Sequence, residues 1–455
     1  MKQISILFIL FSMLTLGLFI TSCGDDDGPG SSSQFVGAVY AMSNGNGQVA
    51  GTSVQGNNSI VSYGRNDDGT LEFIGSLATG GQGGDFDGGE GLDPLISAYS
   101  LTKTEDNNFV LAVNAGSNTI TSLAVQDDFS LALGDTQPTG AVGPNSIAHT
   151  ESDIDGVNGI VYVSNITRAE FEDQGEPGHQ GTITGFMLMD DGTLSPIANS
   201  TRNLPSRPSC VQFSPDGDFL VVTSLNAGAF ALESQDQNEV VVYTVNENGS
   251  LSSNIVGSAT STLRDNAEGR NLPSAIGFQI VDDNYVVVTE AREFQSNGMP
   301  PAFPALQDGS VSTWQINDDG SLTSINTDVA SGENNTGRTA CWIDFTDDEN
   351  TFFVTNAIEA SIASYSFDNG NVSLIDQVAA QGVGAIGNTT DGASAFATTE
   401  GWIGLWISDD GDYLYQLQGL RGAISVYAID GDNLSIVEVV SGNLPANNVQ
   451  GIVAI

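Results

Sequence analysis

Apolar and polar residues alternate along this chain in short runs, each broken by an Asn/Asp/Gly cluster and then resumed. Copies start at Ile60 (IVSYGRNDDGTLEFI), Ile120, Ile183, Val240, Val311 (VSTWQINDDGSLTSI), Ile362 and Ile424. A period of two marks half-buried strands, and D-D-G or N-G clusters mark tight hairpins. The fourth residue of each copy is Tyr63, Leu123, Phe186, Tyr243, Trp314, Tyr365 or Tyr427, so large apolar groups recur at one register position. The mean spacing is about 61 residues, above the ~40–50 of common propeller repeats.

A second hairpin precedes each copy. It is clearest at Arg207–Thr223 (RPSCVQFSPDGDFLVVT), with related runs near Leu95, Pro144, Pro273, Thr339 and Gly401. Four strands per repeat and seven repeats predict an all-β, seven-bladed β-propeller over residues 35–455. We name the strands a to d from the channel outward. The first repeat lacks strand a, and Asn448–Ile455 has the missing pattern, so this segment is expected to close the ring inside blade 1. Two separate β domains are the alternative, but the even spacing leaves no linker for them.

Residues 1–22 read as a signal peptide. Lys2 precedes an apolar run from Ile4 to Ile20, and Ile20-Thr21-Ser22-Cys23 matches the lipobox of bacterial lipoprotein signals, with Cys23 as the lipidated residue. An uncleaved membrane helix is the alternative, for which the run is marginally short. Gly24-Asp25-Asp26-Asp27 resembles the acidic export signal of surface lipoproteins in Bacteroidetes-type bacteria, and residues 23–34 read as a tether. The expected location is the outer membrane, facing the periplasm or the cell surface, with membrane contact through the lipid alone.

Charge narrows the partners. Fifty-six acids against 11 bases give −45, which argues against nucleic acid and against a polybasic membrane surface. Eight of the ten mature bases fall in predicted b-to-c connectors (Arg168, Arg292, Arg421) or d-to-a connectors (Arg202, Arg207, Arg264, Arg270, Arg338). These connectors share one mouth of the ring. Arg207, Arg270, Arg292 and Arg338 are therefore candidates for holding an anionic small molecule or glycan through bidentate bonds. Pairing with nearby acids is the plainer explanation.

The residue ending strand b is Asn44, Asn114, Asn165, Ser224, Glu290, Asn356 and Gln418 in blades 1 to 7. Asn114, Asn165 and Asn356 are candidate ligand contacts or loop supports. Glu290 puts a carboxylate where the other blades have amides or a hydroxyl, which makes it a candidate general base; His149, ending a strand-a run, is the other acid/base candidate. A surface ion pair and a structural histidine are the plainer alternatives. Cys210 and Cys341 occupy equivalent-looking strand-a positions and read as buried free thiols. Asp85, Asp87, Glu90 and Asp93 in a glycine-rich loop could hold calcium, although no cofactor is required. The oligomeric state is open, with a monomer as the default.

The repeats resemble the lactonase-type seven-bladed propeller family, which includes bacterial 6-phosphogluconolactonases and fungal carboxymuconate-cyclising enzymes. The resemblance is carried by S-P-D-G-D-F-L-V-V-T at 214–223, L-A-V-N-A-G-S-N-T-I at 111–120 and the N-D-D-G-S-L hairpins. It implies lactone hydrolysis as an alternative to simple binding. Family phosphogluconolactonases carry His-Pro-His and Asp-Leu-Gly where this chain has Arg207-Pro208-Ser209 and Ser224-Leu225-Asn226.

Overall fold

A computed structural model of the chain describes residues 35–45, 56–86, 93–167, 180–225, 240–260, 274–282, 284–291, 308–333, 339–382 and 400–455. The expected signal peptide, Cys23 and the expected tether lie outside them. The described residues form seven sheets, each a blade of antiparallel strands in the order a-b-c-d. In blade 1 the inner strand is Ile452–Ala454, which pairs with Gly37–Met42 in the register Val39↔Ala454 and Ala41↔Ile452. The last strand of the chain therefore closes the ring on the first, as expected.

Period-2 alternation works differently here from a sheet with one wet face. Blades pack face to face, so both faces of strands b and c are buried; Tyr63, Leu123, Phe186, Tyr243, Trp314, Tyr365 and Tyr427 all lie in the core. Burial of each aromatic contributes about 2–3 kcal/mol. Polar residues concentrate in the turns. Asp68, Asp128, Asp191 and Asp319 each cap a c-to-d turn by accepting the backbone N–H two residues on. These bonds hold the carboxyls below their usual range, so the acids stabilise the tight turns as anions.

Three expectations shift. The run near Leu95 is not strand a of blade 2, which is only Leu101–Lys103. Asp93–Ser100 instead crosses the central channel as a plug. Secondly, strand a of blades 3 to 7 carries a β-bulge near its upstream end. Because of it, Cys210 pairs with Thr223, whereas Cys341 is the extra residue between the paired Ala340 and Trp342. The two thiols are not in equivalent positions; both are buried and free. Thirdly, Arg202 belongs to strand d of blade 3, split into Leu194–Pro196 and Arg202–Asn203, rather than to a connector. Its guanidinium donates to the carbonyls of Asn199, Thr201, Leu251 and Ser252, stapling blade 3 to blade 4.

Candidate functional site

The plug decides what the channel can do. Gln450, just ahead of blade 1's inner strand, donates to Ser97 O at 2.9 Å. In blade 2, Val113 N–H donates to Ser100 O. From blade 3, Asn145 O accepts from Ser97 Oγ and Ile147 N–H donates to Tyr99 O. Blade 4 accepts Ala98 N–H at Ser209 O. Gln279 of blade 5 donates to the Tyr99 hydroxyl at 2.7 Å, and blade 6 binds through Ile343 O and the Trp342 indole. The Trp406 ring of blade 7 meets Tyr99 edge to face at 5.8 Å. The unpaired carbonyls of the bulges at Asn145 and Ser209 are among the plug's acceptors, so the bulges have a purpose. Ile96 and Tyr99 sit at φ 50° and 54°, left-handed values that are costly for such side chains and are held by this web of bonds. The channel is therefore blocked, and its two openings are separate.

The upper opening is where strand a begins and strand b ends. The strand-b terminal residues are buried there, and several bond to a neighbouring strand or loop. Asn44 exchanges two bonds with Gly84. Asn114 accepts from Asn58 and Thr79 of blade 1 and donates to Thr119 and Thr121. Asn165 donates to Thr182, and Asn356 accepts from Ser331 of blade 5. Gln418 donates to Ser425. Asn114 and Asn356 thus reach across a seam to the preceding blade, whereas Asn165 and Gln418 bond within their own blades.

Glu290 occupies that position in blade 5, fully buried, and accepts a bond from Ser310 Oγ at the start of strand c. Its neighbour Thr289 bonds Cys341 O of blade 6, so by strand alternation Glu290 faces blade 4. In blade 4, Arg207 pairs with Leu225, which packs in the core shared with Ala275, Phe278 and Val288 of blade 5. Directly opposed residues of an antiparallel pair share a face. Arg207 and Glu290 therefore lie on the facing walls of one seam, between blades 4 and 5, at the upper mouth. Arg207 is 3% exposed, and burial pulls its guanidinium down to about 10 while the nearby Asp93 carboxylate on the plug opposes the shift. A cation held in so dry a place interacts strongly with anions.

His149, the other acid/base candidate, lies elsewhere on its strand. The strand registers put it at the other end: Pro144 pairs with Asn165 at the upper mouth, while His149 pairs with Val161. Four residues of strand separate Asn145 from His149, roughly 13 Å. The ring is bonded to Asn158 at 3.1 Å, and burial pushes it down to about 4, so it is neutral. Arg270, Arg292 and Arg338 lie outside the described residues, as do Asp87 and Glu90. Asp85 is buried, and Asp93 accepts Ser97 N–H within the plug and sits near Arg207. Among the described residues no three His, Cys, Asp or Glu come together as a metal site.

Two acids at the same mouth escaped the sequence reading. Glu359 is the third residue after Asn356 in blade 6 and accepts from Thr339. Glu400 pairs with Arg421 at 2.5 Å and accepts from the Trp402 indole at 2.8 Å. In the short b-to-c turns, the third position past the strand-b terminus is Ser117, Glu359 or Arg421, a recurrence visible in the sequence once the turns are aligned.

No family model matches the chain, and no curated protein sequence does. Solved structures do. A Bacteroides uniformis protein provisionally assigned as a 6-phosphogluconolactonase is 18% identical, with a TM-score of 0.57 over 92% of this chain and 99% of that one. A Bacteroides fragilis protein with the same provisional assignment is 16% identical, with a TM-score of 0.55 over 94% and 99%. The periplasmic gluconolactonase of Pseudomonas aeruginosa is 14% identical, with a TM-score of 0.56 over 92% and 99%. At these identities the likeness carries the fold alone: a seven-bladed propeller of the kind seen in those structures.

Proposed function

We propose that this chain is a lipid-anchored, extracytoplasmic propeller that binds an anionic small molecule or glycan at the upper mouth, over the seam between blades 4 and 5. The observation that carries the reading is the buried Arg207 guanidinium at that mouth. Its planar fork suits a carboxylate or phosphate, and low exposure strengthens the bond. The signal-like N-terminus supports the location, as does the periplasmic setting in the name of the Pseudomonas structure. An envelope protein docking at the same mouth would use the same charge.

Lactone hydrolysis is the second reading, favoured by Glu290 on the wall facing Arg207. In that chemistry Glu290 takes a proton from water as the water attacks the ring carbonyl, Arg207 stabilises the developing oxyanion, and collapse of the adduct breaks the ring C–O bond as Glu290 returns the proton to the leaving alkoxide. The test uses the chain from Gly24 onward. Calorimetric titration with gluconate, 6-phosphogluconate and glucuronate reads binding, and proton release from a lactone panel reads turnover. Arg207→Lys, which keeps the charge but loses the fork, is expected to weaken anion binding about tenfold. Unchanged affinity in folded Arg207→Lys overturns the binding site. Turnover that Glu290→Gln abolishes establishes the enzyme.

A further inference from the structure

The lower opening is built from different chemistry. Near the downstream end of strand a, one residue per blade keeps partial exposure in an otherwise buried strand: Gln212, Gln279, Asp344 and Trp406 in blades 4 to 7. Their partners Val221, Val287, Phe353 and Tyr415 put them at one level, below the plug. The Tyr99 hydroxyl points down among them, bonded to Gln279.

We infer that this lower opening is a second binding site, for a small organic ammonium ion, formed by Asp344, Gln279, Trp406 and Tyr99. Asp344 keeps partial exposure in an otherwise buried strand, as a group on the wall of a narrow opening does. Its oxygens accept Ile407 N–H at 2.7 Å and Phe345 N–H at 3.0 Å, which fix the carboxylate in place. Gln279 Nε2 donates to Tyr99 and, at 3.4 Å, to Asp344, leaving its carbonyl oxygen to accept from a guest. The Tyr99–Trp406 pair supplies aromatic surface, which attracts cations. The chain already displays this recognition at the rim, where the Lys103 ammonium sits between Asp409 at 2.9 Å and the Asn107 amide oxygen at 2.7 Å.

The surroundings favour a cation. Burial, and then repulsion from Asp409, Asp410, Asp348 and Asp412, raises the Asp347 carboxyl; Lys103 is the opposing charge that acts on Asp344. Such a rim concentrates cations at the opening. A divalent metal fits poorly, because calcium requires six to eight oxygen ligands and the wall offers one carboxylate. An ammonium needs only a carboxylate, a carbonyl and an aromatic face.

Calorimetry on the chain from Gly24 onward, with putrescine and tetramethylammonium as probes, tests this. One-to-one binding is expected. Asp344→Asn, which keeps an acceptor for one of the two backbone N–H groups, should weaken it about tenfold in protein whose melting curve shows that it is folded. Gln279→Met should weaken putrescine more than tetramethylammonium, since only the former donates hydrogen bonds. Asp319→Asn, on an exposed turn, should leave affinity within about twofold. Binding unchanged in Asp344→Asn and Gln279→Met, or lost equally in Asp319→Asn, means diffuse surface charge and overturns the site. No binding at about 10 mM probe overturns it as well.

Discussion

The two openings of the channel are made from the same repeat and yet differ in charge and in wetness. At the upper one, strands a begin and strands b end, the connectors are long, and a guanidinium is buried beside carboxylates and neutral amides. At the lower one, the connecting turns are short and rich in aspartate, and the lining side chains keep contact with water. The difference follows from chain geometry. Tight turns select Asp and Asn for their backbone bonds, so the lower rim becomes acidic for structural reasons. Long connectors are free of that demand and can carry other residues. The Asp93–Ser100 plug keeps the two openings apart, and Tyr99 belongs to both, through its backbone above and its hydroxyl below.

Removing the partition should have the largest effect. Tyr99→Ala deletes a buried ring and its bonds to Ile343 and Gln279, and a loss of about 3–5 kcal/mol is expected in denaturant unfolding. Tyr99→Phe isolates the hydroxyl and should cost about 1–3 kcal/mol. If Tyr99→Ala costs no more than Tyr99→Phe, the plug is not the partition described here.

The second expected effect is a pH dependence confined to the lower opening. Burial raises the Asp344 carboxyl from 3.8 to about 7. A carboxyl raised in the folded state contributes stability that is fully present below about 3.8 and is lost as pH rises through about 7. Melting temperature should therefore fall from this group as pH goes from 4 to 8, and Asp344→Asn should flatten that slope. An unchanged slope contradicts the placement of Asp344. His149 acts in the opposite sense. Its folded value near 4 lies below 6.5, so its contribution is lost on acidification through that window.

Smaller effects sharpen the contrast. Glu290→Gln restores at blade 5 the kind of group the other blades use, keeps an acceptor for Ser310, and should change stability by less than about 1 kcal/mol while removing any turnover. Arg65→Gln breaks the 2.7 Å pair with Asp410 at the rim. Asp410 is partly exposed but Arg65 is buried over the Tyr413 ring, so thermal unfolding should register about 1 kcal/mol.

The ring was legible because each hairpin announces itself by alternation and by its turn residues, and because Asn448–Ile455 carries the missing pattern. Glu290 stood out as the one carboxylate among the strand-b termini, and Arg207 as one of the bases gathered in the mouth connectors. The plug was not. Asp93–Ser100 reads as an apolar run, and nothing local reveals that Ile96 and Tyr99 adopt left-handed backbone or that their partners lie across the ring. The level of His149 along the channel was not legible either, because a period of two tells which face a residue takes but not which end of the channel it reaches. The offset between Cys210 and Cys341 arises from bulges, which add a residue without disturbing the pattern. Arg202 was missed because its partners are backbone carbonyls, which leave no trace in side-chain sequence.

The central claim is that Arg207 and Glu290 form one anion-accepting site at the upper mouth. The most direct measurement is calorimetric titration of the chain from Gly24 onward with 6-phosphogluconate, comparing wild type, Arg207→Lys and Asp344→Asn at matched salt. The account predicts binding by the wild type, about tenfold weaker binding by Arg207→Lys, and wild-type affinity in Asp344→Asn, because the plug separates the two openings. Equal affinity in wild type and a folded Arg207→Lys would contradict it.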